Sequence, residues 1–275
     1  MTIRIHGKIN QLSHLLPEGL LVDSSWMEKN GYSRSLRSQY VTNGWLKQPA
    51  RSVYSRPRGA IRWESVVISL QTLLGYPVSV GGRTALEYLG YAHYLYQTPP
   101  PVHLYCDVKL PGWLAKLPDC PEFIVHNRSR FLPPLIVEKQ PLALADERTS
   151  FSLPDSLQIS EWGQWQWPLI TSAPERAILE VIDELPTHES FDIVDKFMAG
   201  LVNLRPARLQ KLLEDARSVK VKRLFFYFAD RHNHQWLEHI DRNKIDLGKG
   251  KRLIVKNGKL DTKYFITIPE NMDAI

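Results

Sequence analysis

Cysteine is nearly absent. The 275-residue chain holds two, Cys106 and Cys120, with thirteen residues between them. They form no C-x-x-C pair and share no regular spacing with histidine. Reduced structural thiols are therefore expected, rather than a disulfide framework or a zinc site. Long apolar runs are missing too: none approaches the roughly 18–20 residues a membrane-spanning helix needs. Residues 1–10 lack the basic start and apolar centre of a secretion signal, so the cytoplasm is the expected location. The sequence contains no G-x-S-x-G, no H-E-x-x-H, no phosphate-binding P-loop and no kinase motif set. No catalytic residue, cofactor or metal is assigned, and an enzyme is not expected. Gly81-Gly82-Arg83-Thr84 lacks the Lys-Ser/Thr of a P-loop and reads as a glycine turn with Thr84 as helix cap. His232, Asn233 and His234 sit near Asp230 and Glu238. Helical spacing does not gather them as ligands, so they read as a surface helix end.

What is present points to a globular chain: 43% of residues are hydrophobic and 23% charged. The net charge of +6 is unevenly spread. Residues 1–62 carry ten Lys/Arg against three Asp/Glu, residues 63–202 nine against seventeen, and residues 203–275 sixteen against nine. Two basic ends flank an acidic middle. A compact basic segment is the footprint expected of a protein that binds a phosphate backbone.

In the first sixty residues the local signals agree. Ile9, Leu12, Leu15 and Leu16 fall at helical spacing over 8–16, and Pro17-Glu18-Gly19 stops that helix. Leu20-Leu21-Val22 suits a short strand. Ser25-Trp26-Met27-Glu28 reads as a capping box opening a second helix that ends at Asn30-Gly31. Ser33 can cap a third helix with Leu36, Tyr40 and Val41 inward, closed by Asn43-Gly44. Its other face shows Arg34, Ser35, Arg37, Ser38 and Thr42, donors uninterrupted by a carboxylate. Such a face suits the major groove, where arginine meets guanine bidentately and hydroxyls meet bases or phosphates. Trp45-Leu46 and Ser52-Val53-Tyr54 can form a hairpin with Gln48-Pro49-Ala50 at its tip. This order of elements is that of a winged helix-turn-helix. The hairpin would bring Lys47, Arg51, Arg56 and Arg58 to phosphates.

Beyond residue 62 the pattern is mixed α/β. The apolar spacing predicts a helix over 63–74, strands over 76–80, 102–108 and 122–126, and a helical turn over 112–117. Residues 132–170, rich in proline, read as irregular. Trp162, Trp165 and Trp167 lie there, as closure for a core beneath a long loop or, less expectedly, as platforms for bases. Ser172-Ala173-Pro174-Glu175 reads as a second capping box, for a helix running to Leu185. Further helices are expected over 190–202, 205–217 and 219–231, with Phe225, Phe226, Tyr227 and Phe228 in the core. The basic stretch Arg217, Lys220, Lys222, Arg223 is a possible partner or nucleic-acid surface, or only a solvated helix face. Asn257-Gly258 signals a hairpin near the end. The expected fold class is α+β: a winged helix-turn-helix over 1–62, followed by a larger mixed α/β domain over 63–275.

Several stretches together resemble a known family. They are Val80-Gly81-Gly82-Arg83-Thr84-Ala85-Leu86-Glu87 with Gly90-Tyr91-Ala92-His93-Tyr94-Leu95, Ser172 to Glu180, Arg217 to Phe225, and Ile245-Asp246-Leu247-Gly248 with Lys251-Arg252. In this order they resemble AbiEi-type antitoxins of type IV toxin–antitoxin (abortive infection) systems. The resemblance implies an N-terminal winged helix that binds inverted repeats in its own promoter and represses it. It implies a C-terminal domain with antitoxin activity and a cognate nucleotidyltransferase-like toxin that is opposed without obligatory contact. It carries DNA contact chiefly to Arg34, Arg37, Arg51 and Arg56. Inverted repeats would require two copies on double-stranded operator DNA, as a dimer or as cooperating monomers. The competing readings are a ligand-responsive winged-helix regulator, and an antitoxin that binds or modifies its toxin directly.

Overall fold

The computed structural model describes residues 2–91, 98–134 and 153–274. The N-terminal unit begins with α1 (Thr2–Leu15), which starts earlier than its apolar spacing suggested. Pro17 and Gly19, the latter at φ +90°, turn the chain into β1 (Leu21–Asp23). Asp23, not the Ser25–Glu28 pair, caps α2 (Ser24–Lys29): its carboxylate accepts from the Trp26 N–H at 2.8 Å. Glu28 is engaged elsewhere, by Arg37. Ser33 caps α3 (Arg34–Thr42) as expected, accepting from the Leu36 N–H at 3.3 Å. Strands β2 (Lys47–Ala50) and β3 (Val53–Ser55) form the hairpin, and the three strands run in the order β1-β3-β2. The hairpin turn lies at Arg51–Ser52, with Ser52 at φ +64°, rather than at residues 48–50. Pro49 is tolerated because β2 is an edge strand.

Leu12, Leu16, Leu20, Met27, Tyr32, Tyr40, Leu46 and Val53 are buried in the core beneath these elements. The Tyr32 hydroxyl donates to the Lys8 carbonyl at 3.0 Å, and the Lys8 ammonium donates to the Gly31 carbonyl at 2.6 Å. Burial and neighbouring Tyr40 push the Tyr32 hydroxyl up to about 12. These bonds fix α1 to the α2–α3 turn.

Helix α4 (Trp63–Thr72) buries Val66, Val67 and Leu70 as expected. It also connects the two sheets. Its Ser69 hydroxyl accepts from the Leu21 N–H of β1 at 2.9 Å. Its Gln71 amide donates to the Val78 and Ile170 carbonyls, and its oxygen accepts from the Ile170 N–H. The second sheet has the order β6-β5-β4-β8-β7. Its members are β4 (Ser79–Val80), β5 (Val102–Tyr105), β6 (Phe123–His126), β7 (Leu157–Trp162) and β8 (Trp167–Ser172). The β7–β8 hairpin occupies a segment expected to be irregular; residues 135–152 of that segment lie outside the described residues. Trp162 and Trp167 face each other on this hairpin with rings 5.9 Å apart, while Trp165 at its tip is 66% exposed.

Two of the stretches that carried the family resemblance meet in the core. Between β4 and α5 (Gly82–Tyr88) the Gly82 N–H donates to the Glu180 carboxylate at 2.9 Å. Glu180 lies on α6 (Pro174–Asp183), where the Ser172 hydroxyl and the Arg176 guanidinium also donate to it. A Cβ at Gly81 would collide with Glu180 Oε2 and the Tyr105 ring, so this approach requires glycine. Thr84 accepts from the His103 N–H instead of capping α5. The capping box expected at Ser172–Glu175 is also absent. Ala173 precedes Pro174 at the helix start, and Glu175 accepts from the Arg205 N–H and Arg208.

Helices α7 (Phe191–Gly200), α8 (Pro206–Asp215) and α9 (Val219–His232) follow close to the expected positions, with Phe225, Phe226, Tyr227 and Phe228 buried. The last hairpin pairs β9 (Lys259–Asp261) with β10 (Ile266–Ile268), so the chain reverses after Asp261. Asn257, at φ +61°, makes an earlier turn that leads into β9 rather than a hairpin.

Candidate nucleic-acid interface

The third helix and the wing face each other across a groove of about 490 Å³. Arg34, Arg37, Ser38, Val41 and Thr42 line it from α3, Gln48, Arg51, Ser52 and Tyr54 from the wing, and Ser24 from α2. None of these residues carries a carboxylate. Arg34 is exposed at the first position of α3, where the unpaired N–H groups of the helix add positive potential. Arg51 is exposed in the wing turn. Together with the Ser38 and Thr42 hydroxyls and the Gln48 amide, they present donors at two walls of one groove. A duplex strand laid along it would meet charge from both sides, with side chains long enough to reach base edges from α3.

The structure separates the residues named from the sequence. Five of them, Arg34, Arg37, Ser38, Thr42 and Arg51, line the groove. Arg37 differs from the rest: it is 4% exposed. Its guanidinium donates to the Ser24 carbonyl at 3.2 Å, the Tyr32 carbonyl at 3.0 Å and the Glu28 carboxylate at 2.8 Å, and lies 5.8 Å from the Tyr54 ring centre. It braces α2, α3 and the wing against one another. Ser35 is exposed beside Ser33, with 3.1 Å between their hydroxyls, and Lys47 is exposed on β2. Arg56 and Arg58 line a different groove with Ile9, Leu12 and Trp45. Arg56 is bound to the Glu18 carboxylate at 2.9 Å. Sequence reading missed Ser24, Gln48, Ser52 and Tyr54. Placing the turn at Arg51–Ser52 would have found the three wing residues, since it brings β2 and β3 against α3.

The basic stretch of α9 is not the surface proposed for it. Lys222 and Arg223 are buried. Lys220 donates to the Asp183 and Leu185 carbonyls at 2.6 and 2.8 Å, satisfying the end of α6, and burial lowers the pKa of its ammonium. Arg223 donates to the Leu247, Gly248 and Gly250 carbonyls at 2.7, 3.1 and 2.6 Å. Only Arg217 is exposed. His232 bonds Asp195 and His234 bonds the Met198 carbonyl, each through Nε2.

A helix-turn-helix with a hairpin wing, closed over an acid-free groove and carried on a larger α/β body, defines a winged-helix regulator. The chain belongs to the AbiEi antitoxin family of transcriptional regulators from type IV toxin–antitoxin systems. The family model for the AbiEi antitoxin N-terminal domain matches residues 5–97, and the model for the transcriptional regulator AbiEi antitoxin of the type IV system matches residues 100–269. The RV2827C protein from Mycobacterium tuberculosis, seen in a crystal structure, has a similar fold. It aligns with a TM-score of 0.57 at 15% identity, over 94% of this chain and 88% of that one. The comparison with curated proteins gives no match. No helix among the described residues is long and apolar enough to cross a membrane.

Proposed function

We propose that this protein represses its own promoter by binding inverted repeats there, and that it opposes a cognate nucleotidyltransferase-like toxin as the antitoxin of the pair. The observation that carries the first half is the groove between α3 and the wing, with Arg34 and Arg51 on facing walls and no carboxylate lining it. Residues 1–62 are the DNA-reading unit and residues 63–275 the antitoxin part. In this reading Arg34, Ser38 and Thr42 contact base edges or adjacent phosphates. Arg51 and Lys47 anchor the wing on the backbone, and Ser35 contacts phosphate beside the start of α3. Arg37 positions α3 rather than touching DNA. Arg56 and Arg58 lie beside the wing; Arg58 adds long-range attraction, while the charge of Arg56 is offset by Glu18. Two copies occupy the two halves of the repeat. The protein acts in the cytoplasm, without catalysis or a cofactor.

A reporter gene placed behind the protein's own upstream region tests this. Expression of the protein silences the reporter, and expression of the Arg34→Ala/Arg51→Ala variant does not. Equal reporter activity with both proteins would contradict the proposal.

A further inference from the structure

The last seventy residues are as basic as the first sixty, yet the function proposed above uses none of that charge. Much of it does not lie on α9, whose Arg223 turns inward. Arg223 gathers the carbonyls of Leu247, Gly248 and Gly250, and reaches the Phe265 carbonyl at 3.4 Å. With its carbonyls drawn inward, the loop at 247–250 is fixed, and the chain beside it displays its side chains outward. Gly248 and Gly250 both adopt left-handed φ, +63° and +76°, which permits the tight path.

What this loop displays is unusual. Lys249, Lys251 and Arg252 are exposed, and none has an ion-pair partner among the described residues. Leu253 is 71% exposed and Phe265 is 52% exposed. Phe265 lies beside this stretch because its carbonyl accepts from the Arg252 N–H at 2.8 Å and Arg252 pairs with Ile266. Phe265 also has φ +52°, a conformation that costs a bulky L-residue about 1 kcal/mol or more. Its carbonyl accepts from both the Arg252 N–H and the Arg223 guanidinium, which fix the backbone there. A strained aromatic kept in solvent, on a segment that pairs with the stretch carrying these cations, is a feature that folding alone does not favour.

We propose that this face is a second nucleic-acid site, one that takes single-stranded RNA or DNA. A base stacks on Phe265 with Leu253 at its edge, while Lys249, Lys251 and Arg252 follow the phosphates. Open base faces occur on single strands, and stacking on them does not depend on sequence. The backbone of a duplex offers Phe265 and Leu253 no apolar partner. Two apolar side chains are also fewer than the broad apolar face of a helix that lies on a membrane surface.

The test uses the full chain carrying Arg34→Ala/Arg51→Ala, so that the winged-helix groove does not contribute. A fluorescent uridine oligomer of about 15 nucleotides, and its thymidine counterpart, are titrated at several salt concentrations. Binding is expected, and Phe265→Ala is expected to weaken it about tenfold while Phe265→Trp retains it. Lys249→Ala/Lys251→Ala/Arg252→Ala is expected to reduce the log–log salt slope by about 2, near 0.7 for each phosphate no longer neutralised. Thermal melting of each variant separates lost binding from lost folding, and Phe265→Trp serves as the variant of preserved bulk. The proposal is overturned if the groove-silenced protein binds neither oligomer, or if the triple variant leaves the slope unchanged. It is equally overturned if an unrelated duplex competes as well as single strand, or if phosphatidylserine vesicles bind in place of the oligomers.

Discussion

The Arg37 guanidinium lies 2.8 Å from the Glu28 carboxylate and donates at the same time to the Ser24 and Tyr32 carbonyls. Glu28 is itself largely exposed, so the charge pair is partly screened, and the two backbone carbonyls matter more. Removing Arg37 leaves the Tyr32 carbonyl without this donor in a buried place. Arg37→Ala should therefore destabilise the protein by about 2 kcal/mol or more, the usual cost of unsatisfied buried polar groups. Arg34→Ala, at an exposed position, should leave stability within about 0.5 kcal/mol. Denaturant unfolding of both variants checks this, and equal stabilities would refute the bracing role.

The contact between Gly82 and Glu180 gives a second prediction. Glu180 is fully buried and shared by Arg176, Ser172 and the Gly82 N–H. Glu180→Gln leaves the buried Arg176 guanidinium without its counter-charge, a change that typically costs about 3–5 kcal/mol. Gly81→Ala forces a methyl group into Glu180 and the Tyr105 ring. Both variants should show strongly lowered melting temperatures or accumulate as insoluble protein. A soluble Gly81→Ala protein melting like the parent would show that the close approach is not required.

The acid stability of the larger domain should depend on two buried groups of opposite sign. Burial, with neighbouring His126, lowers His103 from 6.5 to about 4, although Glu184 works against this and Arg83 and His188 for it. Burial raises Glu189 from 4.5 to about 7, with Arg83 opposing and Glu87 and Glu184 assisting. His103 is neutral when folded, so its contribution is full above 6.5 and is lost as pH falls towards 4. Glu189 prefers to be protonated when folded, so its contribution is full below 4.5 and is lost as pH rises towards 7. Between 4.5 and 6.5 the two trends oppose each other, each at about 1.4 kcal/mol per pH unit. Glu189→Gln removes one of them, and the melting temperature of that variant should rise with pH across this window more steeply than the parent's. Parallel profiles for the two proteins would contradict the assignment.

How far the sequence showed these features differs by element. Ser33 and Asn43-Gly44 bounded α3 correctly because capping is chemistry among near neighbours. The inward turn of Arg37 was not legible. On a helical wheel it lies about 60° from Arg34 and about 60° from Tyr40, at the border between the two faces. The carbonyls of Ser24 and Tyr32, which lie outside its own helix, decide its direction. The β7–β8 hairpin was obscured by Pro154 and Pro168, although Leu157, Ile159, Trp167 and Leu169 alternate around Gly163. Arg217 to Arg223 looked like a charged surface because sequence shows charge and not the carbonyls of residues 247–250 that receive it. The family motifs paired in space, Gly82 with Glu180 and Arg223 with Gly248, which only the folded chain reveals.

The central claim is that α3 and the wing read operator DNA. Its most direct test is titration of the protein onto its own upstream duplex and a scrambled duplex over a range of salt, beside Arg34→Ala/Arg51→Ala. The native duplex should bind far more tightly than the scrambled one. The variant should lose that preference, and its log–log salt slope should fall by up to about 0.9 for each of the two arginines that meets a phosphate. Equal affinity for both duplexes, or a variant that binds like the parent, would contradict the claim and leave the groove between α3 and the wing to a different ligand.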